Sequence, residues 1–117
     1  MTVDDWTSVE SEVGRIVAES DPPFATETIA HLHDFLKYLR EKRTAAPKVR
    51  RGYWPTLNIW WEYNAAAMPV TTAQFEVFAK KIEVYRFRGG FVEDIQEIPH
   101  VAGEPFPREI ETALPPK

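Results

Sequence analysis

The amino-acid sequence predicts an α+β domain in which two N-terminal helices pack on one face of a three- to four-stranded antiparallel sheet. The apolar residues follow a helical period up to residue 43 and alternate after Pro47, which is the order of elements expected for this class. With 44% hydrophobic and 27% charged residues, the composition is typical of a folded globular chain. We therefore expect a single α+β domain over residues 1–98 and a Pro-rich C-terminal extension over residues 99–117, packed on the domain or trailing from it.

Two apolar stripes predict the two helices, over residues 5–19 and 26–43. In both stripes successive apolar residues lie three, four and three positions apart, so they share one side of a helix. The first stripe comprises Trp6, Val9, Val13 and Ile16, and the second comprises Ile29, Leu32, Leu36 and Leu39. For the second helix we expect Thr26 as the N-cap, because a threonine hydroxyl can accept a hydrogen bond from the first turn.

Alternating apolar residues predict a strand over residues 57–63. The residues expected on its buried face are Leu57, Ile59, Trp61 and Tyr63. Trp60 falls on the opposite face between Asn58 and Glu62. It is therefore either covered by another element or displayed at the surface.

The remaining strands are predicted from residues 74–98. Residues 74–87 are rich in Phe, Val, Ile and Tyr, and we favour a hairpin about residues 79–81 over one long strand. The paired glycines of Arg88-Gly89-Gly90 predict a turn into the next strand, because glycine accepts positive φ. Pro99 should end that strand, and a short helix is expected from Pro107 to Leu114.

The residue types that usually carry catalysis or bind metals form no recognisable pattern. The chain has no cysteine, and its serines lack the Gly-x-Ser-x-Gly context of a hydrolase. His31 and His33 are two positions apart, which turns their side chains to different sides of a helix. We expect one of them to be partly buried and the other exposed, while His100 can join them only through the fold. No catalytic residue, metal or cofactor is expected, and hence no enzyme.

The distribution of charge gives two candidate surfaces of opposite sign. Residues 1–36 hold eight acidic residues and one basic residue, whereas residues 37–51 hold seven basic residues and one acidic residue. The chain shows neither a signal-peptide pattern nor an apolar run of the roughly 20 residues that span a bilayer. We therefore expect a cytoplasmic protein with no membrane partner.

The basic segment continues into aromatic residues, and this combination is the strongest functional signal in the sequence. Tryptophan, tyrosine and arginine supply much of the binding energy of protein interfaces. The predicted partner-binding residues are Arg50, Arg51, Tyr53, Trp54 and Trp60. Cations beside aromatic rings also suit single-stranded nucleic acid, although the net charge of −4 disfavours it. A structural alternative is that the cations offset a helix dipole and Trp54 packs where a strand begins.

The strand and turn Ile82-Glu-Val-Tyr-Arg-Phe-Arg-Gly-Gly90, in a small, acidic, cysteine-free α+β chain, resembles small bacterial immunity and antitoxin proteins. The resemblance implies a protein that neutralises a cognate toxin by binding it. It rests on size, charge and layout, so it assigns no site residues. We expect a non-enzymatic protein-interaction domain whose partner is another protein, such as a toxin, or a second copy in a homodimer. The alternatives are a small nucleic-acid-associated protein that uses residues 48–60 and a ligand-binding fold with a pocket between helices and sheet.

Overall fold

A computed structural model describes residues 5–42, 44–61, 72–88 and 91–115 of the chain. The helices in these ranges are α1 (Asp5–Glu19), α2 (Thr26–Glu41) and α3 (Arg108–Ala113). The strands are β1 (Lys48–Arg51), β2 (Leu57–Trp60), β3 (Thr72–Val77), β4 (Lys81–Arg88) and β5 (Phe91–Pro99). None of these helices has the length and apolar character needed to cross a bilayer.

The strands form one antiparallel sheet in which each strand pairs with its neighbours in sequence, in the order β1-β2-β3-β4-β5. The predicted α+β class, with two N-terminal helices on an antiparallel sheet, is confirmed. The described residues contain five strands instead of the three or four expected. The hairpin about residues 79–81 is also confirmed, because Val77 pairs with Ile82. The predicted turn at Gly89 and Gly90 lies outside the described residues. Residues 65–72 are expected from the sequence to form a loop; residues 65–71 also lie outside the described residues, and Thr72 is the first residue of β3.

The additional strand is β1, which lies in the basic segment that was expected to form a loop after the second helix. That prediction is wrong, since Val49 pairs with Ile59 along the edge of the sheet. Two indole groups hold the connection that leads into β1. The Nε1 group of Trp61 donates to the carbonyl of Ala45 at 2.8 Å, and that of Trp6 donates to the carbonyl of Thr44 at 3.3 Å. The position of β1 therefore depends on contacts from distant parts of the chain.

Both long helices cover one face of the sheet, which we call the inner face. Its buried residues are Leu57, Ile59, Trp61, Phe75, Val77, Ile82, Val84 and Ile98. From α2, Phe35 meets Phe75 edge to face with ring centroids 5.2 Å apart, a favoured aromatic geometry. From α1, the buried side chains are Val9, Val13 and Ile16, as the apolar stripe predicts.

The ends of α2 differ from the sequence prediction. Thr26 is the first helical residue rather than the N-cap, which is Ala25, and Ala25 has no side chain that can accept a hydrogen bond. The helix ends at Glu41, two residues before the predicted end at residue 43.

The segment after β5 packs against α2. Phe106 stacks on Tyr38 with ring centroids 4.3 Å apart, and Ile110 of α3 is fully buried. Pro107 is the N-cap of α3, so the helix begins one residue later than predicted. This segment also brings His100 to α2, as described below.

Candidate protein-binding surface

The face of the sheet opposite the helices, which we call the outer face, carries polar and aromatic side chains. Because side chains alternate along a strand, the residues between the buried ones point to this face. They are Lys48, Arg50, Asn58, Trp60, Gln74, Glu76, Glu83, Tyr85, Ile95 and Glu97. Of these ten residues only Glu76 is buried. The outer face is therefore the side of the sheet that solvent can reach, whereas the helices cover the inner face.

Strand pairing orders the outer face into two rows that cross the sheet from β1 to β5. The first row is Lys48, Trp60, Gln74, Tyr85 and Ile95, and the second is Arg50, Asn58, Glu76, Glu83 and Glu97. The first row is therefore mainly aromatic and aliphatic beyond its lysine, whereas the second is mainly charged. At the β5 end, Ile95 is 54% exposed. Apolar area is thus available to a partner on this face.

Trp60 lies on the outer face and is partly exposed, so it belongs to the accessible side of the sheet and not to the core. The guanidinium carbon of Arg50 lies 5.0 Å from the centroid of its ring, within the distance of a cation–π interaction. Arg50 also stands two residues from Lys48, the cross-strand neighbour of Trp60. A cation and an aromatic ring are therefore presented together at the β1 edge.

The turn between β1 and β2 displays Tyr53 and Trp54. Their side chains are 86% and 60% exposed, and their rings meet edge to face with centroids 5.0 Å apart. Exposed large aromatic side chains in contact with each other are a common feature of binding surfaces. Trp54 is therefore displayed, and it does not pack into the core where β2 begins.

A close backbone approach at Gly52 shapes this turn. A Cβ atom at Gly52 would lie 2.2 Å from Oγ1 of Thr56 and 2.7 Å from Oε2 of Glu76. The Thr56 hydroxyl donates a hydrogen bond of 2.5 Å to the same Glu76 oxygen. Glycine therefore lets the turn fold onto Glu76, and this contact fixes the base from which Tyr53 and Trp54 project.

Arg51 is separated from the other predicted partner-binding residues. It alternates with Arg50 along β1, and its Nε group donates to the Ser20 hydroxyl, just beyond α1, at 2.8 Å. The structure thus brings Arg50 and Trp60 together and sets Tyr53 and Trp54 on the adjoining turn. The assignment of these residues to a binding surface stays a prediction.

A hydrogen-bonded network fixes the charges in the β4 and β5 part of the outer face. The Tyr85 hydroxyl lies 2.5 Å from Oε1 of Glu83 and 3.3 Å from Oε1 of Glu76. Lys81 Nζ lies 3.0 Å from Glu83 and 2.8 Å from Glu97. Burial and the hydrogen bond to Glu83 raise the pKa of Tyr85. Burial also acts to raise the pKa of Glu83, but hydrogen bonds from Tyr85 and Lys81 outweigh it and lower that pKa. The phenol therefore stays neutral while Glu83 stays ionised.

His31 and His100 form a buried pair between α2 and the segment after β5. Nδ1 of His31 lies 2.5 Å from the Phe78 carbonyl, Nε2 of His31 lies 2.8 Å from Nδ1 of His100, and Nε2 of His100 lies 3.0 Å from the Glu104 carbonyl. The two carbonyls can only accept, so the nitrogens that face them must carry protons. One more proton fits between the rings. All three hydrogen bonds are made when the pair holds three ring protons. Two neutral imidazole rings hold only two, so the pair then carries one positive charge.

His31 and His100 therefore serve the packing between α2 and the segment after β5. His31 is fully buried and His33 is exposed, where one partly buried and one exposed histidine were expected. His100 joins His31 through the fold, an arrangement that spacing along the chain could not reveal. Among the residues that the structure describes, no three His, Cys, Asp or Glu side chains are arranged to hold a metal ion.

A groove between α1 and β1 corresponds to the pocket between helices and sheet considered above. It has a volume of about 680 Å³. The residues that line it are Asp5, Ser8, Val9, Glu12, Ala46, Pro47, Lys48 and Val49. Acidic groups from α1 and Lys48 from β1 face it from opposite sides, so it lacks the predominantly apolar lining of most small-molecule sites.

Comparisons with protein-family models, with curated proteins and with solved structures find no match to this chain. The resemblance to immunity and antitoxin proteins therefore stays a prediction. Function has to be inferred from the chemistry of the outer face and its adjoining turn.

Sequence reasoning missed the members of the outer face that lie on β3, β4 and β5. Tyr85 and Ile95 extend the row that contains Trp60, but they lie on other strands and become its neighbours only through pairing. Alternation within β4 was the available signal, since it sets Tyr85 opposite to the buried Val84. The register that joins the strands could not be read from that alternation alone.

Proposed function

We propose that this protein is a non-enzymatic protein-binding domain, and that its partner is held by the β1 side of the outer face together with the turn that carries Tyr53 and Trp54. The observation that carries the proposal is the exposure of these two aromatic side chains, at 86% and 60%. Exposing such groups to water is unfavourable, and aromatic residues are among the commonest anchors of protein interfaces.

The surroundings of the aromatic pair support a protein partner. Gly52 and Thr56 fix the base of the turn against Glu76, so part of the ordering cost of the turn is met before binding. Arg50 and Trp60 add a cation and a second aromatic surface on the adjoining strands. A preorganised set of aromatic and arginine side chains favours an interface with a concentrated energetic centre.

The class of binding protein that we propose is an inhibitor that neutralises a partner, such as a toxin, by covering its active surface. The acidic α1 helix is a weaker candidate for the contact than the aromatic turn. Glu10 pairs with Arg40, and Glu12 and Glu19 pair with Arg15, so these carboxylates are already engaged within the chain. Exposed ion pairs of this kind contribute little binding or folding energy.

The test is to recover a tagged form of the protein from its native host at moderate salt, identify a bound protein by mass spectrometry, and purify that protein for titration calorimetry. We expect Tyr53→Ala and Trp54→Ala each to weaken binding by roughly 2 kcal/mol, or about thirtyfold, as interface anchors do. Both side chains are exposed, so the melting temperature should stay nearly unchanged.

Phe91→Ala is the matched control, because Phe91 is also an exposed aromatic residue, at 79%, but lies on the opposite edge of the sheet. It should bind as tightly as the wild type. Equal binding by all three variants would refute the proposed surface. Nuclease-sensitive absorbance at 260 nm, together with affinity for a single-stranded oligonucleotide that falls steeply with salt, would instead favour the nucleic-acid alternative.

A further inference from the structure

The two edges of the outer face carry opposite charges. Lys48 and Arg50 project from β1 at one edge, and Glu97 projects from β5 at the other, with Glu83 beside it on β4. Lys81 offsets part of the negative charge, since it pairs with both Glu83 and Glu97. The side chain of Glu97 is nevertheless 62% exposed. A complementary surface must therefore be negative over β1 and positive over β5.

A second copy of the same face meets this requirement in only one of two orientations. A two-fold axis that lies between two stacked outer faces and runs across the strands would set β1 on β1, and the lysine and arginine side chains would repel each other. An axis parallel to the strands above β3 sets β1 on β5 of the other copy. Charge therefore selects the second orientation, which is a self-complementary arrangement typical of dimers.

We propose that the outer face binds the outer face of a second copy of this chain, through a two-fold axis parallel to the strands above β3. The proposal rests on the proposed function in one respect, because it takes the outer face as a protein-binding surface, and it names a second copy as a partner of that face. Two sheets stacked in this way would form a sandwich about 10 Å thick, and the twist of each sheet would rotate the strand directions by about 30°.

The register of the sheet specifies which residues would meet. In the charged row, Arg50 of one copy lies over Glu97 of the other, and symmetry makes this contact twice. In the apolar row, Trp60 of one copy lies over Tyr85 of the other, again twice. At the ends of this row Lys48 of one copy lies over Ile95 of the other, which is 54% exposed, so the aliphatic stem of the lysine can cover apolar surface there. Apolar burial and opposite charge thus favour the same orientation.

Glu76 is the residue for which this arrangement is least favourable, because the two copies of it approach each other near the axis. Each Glu76 is already held within its own chain by Thr56 at 2.5 Å and Tyr85 at 3.3 Å, and only 8% of it is exposed. It therefore presents little unpaired charge to the second copy. The arginine–glutamate contacts near the edges decide the orientation.

Charge reversal tests the proposal through sedimentation equilibrium of the purified full chain over a range of concentrations. Arg50→Glu would set two glutamates against each other, and Glu97→Arg would do the same with two arginines. We expect each single variant to weaken dimerisation by roughly tenfold or more. The double variant, which restores opposite charges, should dimerise nearly as well as the wild type.

Arg15→Glu is the matched control, because Arg15 is an exposed, ion-paired arginine on α1 and lies away from the outer face. It should leave the dimer unchanged. A wild-type chain that stays monomeric throughout the concentration range, or a double variant that dimerises no better than the single ones, would overturn the proposal.

The outcomes also separate this proposal from the proposed function. A monomeric chain whose binding to another protein still depends on Tyr53 and Trp54 would overturn the dimer and leave the proposed function intact. A dimer that responds to charge reversal as expected, in a chain for which Tyr53→Ala and Trp54→Ala alter no protein contact, would support the self-association and refute the role of the turn.

Discussion

The two faces of the sheet are built from the same strands but differ in what holds them. On the inner face, apolar side chains such as Phe75 and Ile82 have no exposed surface. On the outer face, their neighbours Glu76 and Glu83 take part in hydrogen bonds and ion pairs with Thr56, Tyr85 and Lys81. The inner face thus supplies the burial that stabilises the fold, whereas the outer face can vary its chemistry without loss of the core.

The largest effect should come from emptying the inner face. Phe75→Ala removes a fully buried ring that contacts Phe35 and Trp61 edge to face, so it loses buried apolar area and leaves a cavity. We expect the free energy of unfolding to fall by about 3–5 kcal/mol. Denaturation with urea, followed by tryptophan fluorescence, measures this change.

Gln74→Ala is the control on the outer face of the same strand. Gln74 is only partly buried, and its side chain faces away from the helices, so we expect a change below about 1 kcal/mol. Similar losses in the free energy of unfolding for Phe75→Ala and Gln74→Ala would mean that the two faces contribute equally to stability, contrary to the comparison.

A smaller effect should distinguish two glycines. Gly52→Ala would drive a methyl group into Thr56 and Glu76, at 2.2 and 2.7 Å, and we expect a destabilisation of about 1–3 kcal/mol. Gly14→Ala in α1 meets no atom within 4 Å, so the higher helix propensity of alanine should stabilise the chain by about 1 kcal/mol. Thermal unfolding of both variants gives the sign of each change. A stable Gly52→Ala variant would show that the turn is not held against Glu76.

The inner face was largely predictable from the sequence, because each of its elements has a local signal. The helical spacing of Val9, Val13 and Ile16 and the alternation of Leu57 and Ile59 both report which side of an element is buried, without knowledge of the rest of the chain. The hairpin at residues 79–81 could be inferred for the same reason. Periodicity is a property of one segment, so one segment suffices to reveal it.

The outer face and β1 were harder to predict, because they depend on contacts between distant segments. Lys48–Arg51 has the composition of a loop, and it becomes a strand because Val49 pairs with Ile59 and because Trp61 holds the preceding backbone. The contact between Arg50 and Trp60 requires the register of two strands. The same limit applies to His31 and His100, which are 69 residues apart in sequence.

The smallest predicted change in stability at neutral pH concerns the His31–His100 pair, and this change grows as the pH falls. Burial is the largest cause of the lowered pKa of His31, and the charge of His100 lowers that pKa further. The hydrogen bond to the Phe78 carbonyl and the charges of Asp34 and Glu104 act in the opposite direction but do not outweigh burial. In the unfolded chain His31 binds a proton near its ordinary pKa of 6.5. The unfolded state therefore binds more protons than the folded state below that pH, and stability should fall as the pH drops below about 6.5.

Urea denaturation at pH 6.5 and at pH 5.5 measures this loss. The interval lies above the ordinary pKa of 4.5 for glutamate, and the pKa values of Glu12 and Glu83 are lowered further, so these carboxylates stay ionised throughout. His33→Gln removes an exposed imidazole from the same helix and should keep the acid-induced loss. Nitrogen chemical shifts of the His31 ring give a direct measurement on the wild type. A His31 ring that becomes cationic near pH 6.5 in the folded protein would contradict the hydrogen-bond arrangement, because a fourth proton would set two N–H groups against each other between the rings.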